Sequence, residues 1–188
     1  KNMVLANTSR QVKFHCFTDT RDGLDDDIAV LPIPEVKVDA AGIFKRETAF
    51  FSKNLGGLDG QRVFYFDLDV LVVNGLDDLF AYPKDDDFYI IDDWASKGHS
   101  VGQGSCFSWV VGDRYNDITT DYEENKAQID RKYGSASQEY LSDKIIAKQG
   151  ALKFWPEGWF RSFRFHCLPH PLMRHFQAPP RPQAPELK

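Results

Sequence analysis

Short apolar runs alternate with polar turns along the whole chain, and their spacing predicts strands and helices in succession. Residues 12–17 read as a strand ending at Thr18-Asp19, and residues 28–33 as a second, closed by Pro32 and Pro34. A polar turn, 22–27, separates them. Residues 43–54 place Phe44, Ala49, Phe50 and Phe51 among basic residues and predict a helix stopped by Gly56-Gly57. Val63, Phe64, Tyr65 and Phe66 then run unbroken by polar residues, the pattern of a strand buried on both faces. Gly75 interrupts the chain before a short helix at 76–80. A strand at 88–91 ends on Asp92-Asp93, and a further strand is expected at 107–111. The long helices are 115–133 and 138–148. This alternation predicts an α/β fold with a mostly parallel central sheet and flanking helices. Residues 1–176 form the expected domain, and 177–188, QAPPRPQAPELK, an extended Pro-rich tail.

The most informative segment is 62–80, RVFYFDLDVLVVNGLDDLF, where the apolar run ends on Asp67 and Asp69. In open α/β sheets, ligands sit at the carboxyl ends of the strands. If the strand continues through the motif, alternation sends Asp67 and Asp69 to one side and Leu68 into apolar packing on the other. Two carboxylates on one side can share a cation. They are hard oxygen ligands suited to Mn²⁺ or Mg²⁺, which such sites hold with substrate phosphates and water.

With 188 residues, 42% hydrophobic and 14% aromatic, the chain can build a sizeable single core. A formal charge of −5 and the absence of a Lys/Arg-rich run argue against nucleic acid as a partner. No apolar segment approaches the roughly 20 residues needed to span a bilayer. The expectation is therefore a cytoplasmic protein without a transmembrane segment, at most peripheral to the inner membrane. Cys16, Cys106 and Cys167 are too few and too widely spaced for a disulfide framework or a paired-Cys zinc site. The consecutive acids 25–27 and 85–87 lack the alternating ligands of a calcium loop and read as solvated turns. Pro169 and Pro171 interrupt the set His166, Cys167, His170 and His175, which lacks the usual zinc spacing.

Thr18-Asp19, the strand-borne Asp67-Leu68-Asp69, the following VLVVNGLDDLF and the WPEGW at 155–159 together resemble bacterial nucleotide-sugar glycosyltransferases of the GT-A fold. The similarity is to the glycogenin and lipopolysaccharide galactosyltransferase type and spreads over roughly residues 3–166. It implies that Asp67 and Asp69 hold Mn²⁺ or Mg²⁺ against the diphosphate of an activated sugar, UDP-linked in the expected case, for transfer to a carbohydrate acceptor. It further implies donor contacts from Thr18, Asp19 and Lys45, with Arg46 beside it. Relatives usually place Asn where this chain has Gly104, and an Asp-Gln pair where it has Ser137-Gln138. They also begin with an extra strand that cradles the base. A Phe-His-Gly segment, whose His completes their metal shell, would fall just past Lys188. The resemblance thus predicts a core fragment, with His166 in RFHC as a substitute imidazole.

In sugar transfer, negative charge builds on the departing diphosphate while the sugar gains oxocarbenium character. A bound metal and a positioned Lys45 would stabilise that charge. A general base is expected only for inversion, and Asp92, Asp93 and Glu139 are candidates, with Gln138 a further candidate for the catalytic region. Trp94, Trp155 and Trp159 could stack on a sugar, although packing is the commoner role of such residues. Two other functions fit the acidic motif. One is a haloacid-dehalogenase-type Mg-dependent phosphatase, whose strand-end Asp attacks phosphorus. The other is a non-catalytic nucleotide-sugar binding module.

Overall fold

The apolar runs pair into two sheets. The computed structural model describes residues 1–38, 48–134 and 137–167. It divides the chain into two units, Lys1–Trp155 and Pro156–Lys188. In the first unit, β1 (Phe14–Phe17) and β2 (Ile28–Leu31) pair in parallel. A second sheet contains β3 (Arg62–Phe66), β4 (Tyr89–Asp92), β5 (Gly102–Val110) and β6 (Lys153–Phe154), in the order β3-β5-β4-β6.

This larger sheet is mixed, whereas the alternation of elements predicts mostly parallel strands. β5 runs antiparallel to both β3 and β4, and β6 runs parallel to β4. The reason is loop length. Residues 93–101 are too few for the crossover of a dozen or more residues that a parallel return requires, so β5 must come back antiparallel. β3 also differs from expectation: all five of its residues are half-buried, because it lies at the edge of this sheet among the described residues.

The helices that accompany the sheets include α1 (Asn2–Ala6), α2 (Asp77–Ala81), α3 (Asp117–Tyr133) and α4 (Ser137–Gln149). α3 stops at Gly134, whose φ of 59° suits glycine and whose N–H closes on the Asp130 carbonyl at 2.9 Å. α3 and α4 contribute Ile118, Tyr122, Tyr140 and Ile145 to a core that also holds Phe51, Phe88, Phe107 and Trp109. Strand alternation puts Tyr65, Phe107 and Ile90 on this helical face. The opposite face carries aromatic rings: Phe64 against Phe80 at 4.9 Å, and Tyr89 stacked on Trp155 at 5.4 Å. Trp155 is thus a packing residue, with its indole N–H directed at the Cys106 carbonyl.

The acids at 85–87 lie in a bend with Asp85 and Asp86 exposed, as expected, but the bend is also ion-paired. Lys153 Nζ lies 2.5 Å from both Asp85 and Asp87, and Arg114 pairs with Asp87 at 2.6 Å. The half-buried Arg62 guanidinium donates to the Asp87 carbonyl and to Ser108 Oγ. The acids at 25–27 fall in a turn as expected, with Lys1 bridging Asp25 and Asp27. The expected helix over 43–54 lies partly outside the described residues, as does the whole Pro-rich tail.

Candidate functional site

Because β3 and β4 both oppose β5, they run in the same direction, and their carboxyl ends meet the start of β5 at one edge of the sheet. Asp67 and Asp69 leave β3 there. The Asp67 N–H donates to the Ser105 carbonyl at 3.0 Å and extends the β3–β5 ladder by one step. The chain then turns, with the Val70 N–H on the Asp67 carbonyl at 3.2 Å. The strand therefore does not continue through Asp69, as simple alternation requires. Leu68, expected to pack, is 105% exposed at the tip of this turn. Asp67 is half-buried and Asp69 exposed.

Tyr65 orients the first of these acids. Its side chain lies on the same strand face two residues earlier, and its hydroxyl donates to Asp67 Oδ1 at 2.7 Å. The ring is fixed from behind by stacking on Phe107, with centroids 4.6 Å apart. Such an outer partner sets the direction of a ligating carboxylate. In the sequence Tyr65 reads only as part of an apolar strand, and the one signal of its role is its period-two spacing from Asp67. Cys106, buried beside this acid, has its thiol pushed well up by burial and by the Asp67 charge.

The start of β5 ties helix α4 to the same edge. Gly102 N–H donates to Ser142 Oγ at 2.9 Å, and Gly104 N–H to Gln138 Oε1 at 2.7 Å. Gln103 and Ser105 bond each other through Nε2 to Oγ (2.8 Å) and N–H to Oε1 (2.9 Å). Gln138 therefore reaches the residue next to Ser105, the partner of Asp67. Its neighbour Glu139 is exposed. At the end of β4, Asp93 is 8% exposed and its N–H bonds the Val101 carbonyl. Asp92 is half-buried, and its Oδ1 is enclosed without a hydrogen-bond partner. An orphaned buried acceptor costs about 1–3 kcal/mol.

Thr18 and Asp19 follow β1. Thr18 N–H continues the pairing to the Leu31 carbonyl at 3.0 Å, while its hydroxyl accepts the Thr20 N–H. Asp19 is exposed. Phe50 contacts Phe17 of β1 at 5.6 Å and Tyr65 of β3 at 5.3 Å, so one ring joins the ends of both strands. Lys45 and Arg46 lie outside the described residues. His166 belongs to the second unit, where its Nδ1 accepts the Ser162 N–H at 2.9 Å. In that role a neutral imidazole carries its proton on Nε2, which leaves no lone pair there for a metal.

Among the described residues no group of three or more His, Cys, Asp or Glu side chains is arranged to hold a metal. A cation bound through one or two carboxylates together with substrate phosphates needs fewer. The donor set of Asp67 and Asp69 fits that case: both are oxygen ligands, and Tyr65 occupies only one oxygen of the first. No helix among the described residues is long and apolar enough to cross a membrane. No family model matches the chain, and neither a curated protein nor a solved structure does.

Proposed function

We propose that this chain carries the core of a metal-dependent glycosyltransferase of the GT-A type, taking a sugar from a nucleoside-diphosphate donor, UDP in the favoured case, to a carbohydrate acceptor. The observation that carries this reading is the Asp67–Asp69 turn at the carboxyl end of β3, with Tyr65 orienting Asp67. Open α/β sheets take their ligands at such strand ends. A Mn²⁺ or Mg²⁺ ion held by Asp67 and Asp69 would supply Lewis-acid stabilisation of the departing diphosphate, worth several kcal/mol.

The protein's own groups have distinct tasks in this scheme. Tyr65 keeps Asp67 Oδ1 engaged and leaves Oδ2 for ligation. Gln138, held through its Oε1 by Gly104, keeps its amide N–H₂ for a hydroxyl of donor or acceptor. Asp92, half-buried at the carboxyl end of β4, is the carboxylate assigned to an acceptor hydroxyl, whose proton it would take in an inverting enzyme.

The test is calorimetric titration of UDP with and without Mn²⁺, on the native chain and on Asp67→Asn/Asp69→Asn. The expected result is metal-dependent binding that the double variant loses. Binding unaffected by metal or by the double variant would overturn the assignment. Binding without sugar transfer or donor hydrolysis would identify a binding module instead.

A further inference from the structure

From Pro156 onward the chain carries five Lys/Arg against two Asp/Glu, so the preceding 155 residues hold the whole acidic excess of a protein with net charge −5. Within this stretch, the segment GWFRSFRFH interleaves aromatic and basic side chains. The rings face water: Trp159 is 42% exposed, Phe163 70% and Phe165 48%. Arg161, Arg164 and His166 are exposed among them.

The backbone that presents these rings is internally bonded. Phe163–Cys167 forms a wide helical turn. His166 N–H donates to the Ser162 carbonyl at 2.9 Å, Ser162 N–H to His166 Nδ1 at 2.9 Å, and Phe165 N–H to Ser162 Oγ at 3.3 Å. A turn whose amides are bonded in this way can enter a less polar medium at lower cost than an open loop. The Arg164 guanidinium lies over the Phe165 ring at 5.6 Å, which keeps charge and ring on one surface.

We infer that Trp159, Arg161, Phe163, Arg164 and Phe165 form a docking surface for an anionic phospholipid bilayer. Aromatic rings favour the boundary between headgroups and acyl chains, and arginines pair with lipid phosphates in the same layer. Charge complementarity selects this occupant. An anionic surface repels the acidic residues before Pro156 and attracts this segment. A single-stranded nucleic acid could stack bases on such rings, but its unbroken line of phosphates calls for a longer basic track than Arg161 and Arg164 provide in a chain of net charge −5. The inference is independent of the glycosyltransferase assignment.

The experiment is co-sedimentation of the whole chain with vesicles of phosphatidylcholine, with and without phosphatidylglycerol, over a range of salt. Binding to the mixed vesicles, weakened by salt, is expected. Each arginine near the surface contributes about fivefold to partitioning, so Arg161→Gln/Arg164→Gln should weaken binding at least about tenfold. Phe163→Ser/Phe165→Ser should do likewise, and both variants should keep the native circular dichroism because the residues are exposed. Failure to bind the anionic vesicles, equal partitioning into neutral ones, or full binding by either variant would overturn the inference. So would retention of a single-stranded oligonucleotide in place of vesicles.

Discussion

Gly102→Ala tests how tightly the start of β5 is fitted beneath the candidate site. A Cβ built at Gly102 would lie 2.5 Å from Ile90 Cδ1, 2.8 Å from Cγ2 and 2.9 Å from Cγ1, all closer than side chains tolerate. Ile90 is 1% exposed, so its side chain has no open space into which to turn. Overpacking of this kind costs about 1–3 kcal/mol. Removing a glycine from a strand interior works the other way by about 0.5–1 kcal/mol. The net expectation is a loss of about 1–2 kcal/mol, or a Tm lower by about 2–8 °C for a chain of this size. Gly104→Ala is the control, because its Cβ would meet nothing closer than Gln138 Oε1 at 3.9 Å. It should melt at or slightly above the native temperature. A double-mutant cycle by thermal and urea denaturation completes the measurement. Ile90→Ala removes all three clashing atoms, so it should cost less in the Gly102→Ala background than alone. Equal stability of Gly102→Ala and Gly104→Ala, or strict additivity with Ile90→Ala, would refute this account of why β5 begins with glycine.

Two further outcomes follow from side-chain geometry. Tyr65→Phe removes the hydroxyl on Asp67 Oδ1 and should weaken Mn²⁺-dependent UDP binding about tenfold with little change in Tm, since the ring stays stacked on Phe107; unchanged affinity in calorimetry would show that Tyr65 does not orient a ligand. In the 85–87 turn, the Lys153 ammonium holds the Asp85 carboxyl below its ordinary value. Burial tends to raise Asp87, but bonds from Lys153 and Arg114 outweigh it and leave that acid lowered too. A lowered folded value contributes stability above the unfolded value, about 3.9 for Asp, and that stability disappears as the pH falls through the folded value. Lys153→Met should therefore melt lower at neutral pH and lose less on acidification below about pH 5, and identical acid limbs in a Tm-against-pH series would contradict the role given to these pairs.

The sequence alone fixed what depends on local chemistry. The runs that became β1, β2, β3 and β4 were legible from β-branched and aromatic residues between turn signals, and α3 and α4 from their length and period. Asp67 and Asp69 were legible as a carboxylate pair at a strand end for the same reason. Whatever depended on a partner across the fold was not. The amino-terminal half of β5, with glycine at 102 and 104, looks like a loop until Ile90 is seen filling the space beside Gly102. β6, two residues long, exists only because β4 offers it an edge.

Strand direction was likewise a tertiary matter. Alternating elements favour parallel pairing, but the short connection after β4 left β5 no route except antiparallel. Charge followed the same division. A run of acids reads as solvated wherever it occurs in sequence, yet Lys153 and Arg114, remote in the chain, turned Asp85 and Asp87 into an ion-pair network. The sequence by itself determined which residues could carry metal-binding chemistry. Only the tertiary structure decided that Asp67 leaves the strand in a turn, that Leu68 meets water, and that Tyr65 orients the acid, because these outcomes depend on where β5 stops pairing and what packs behind the strand.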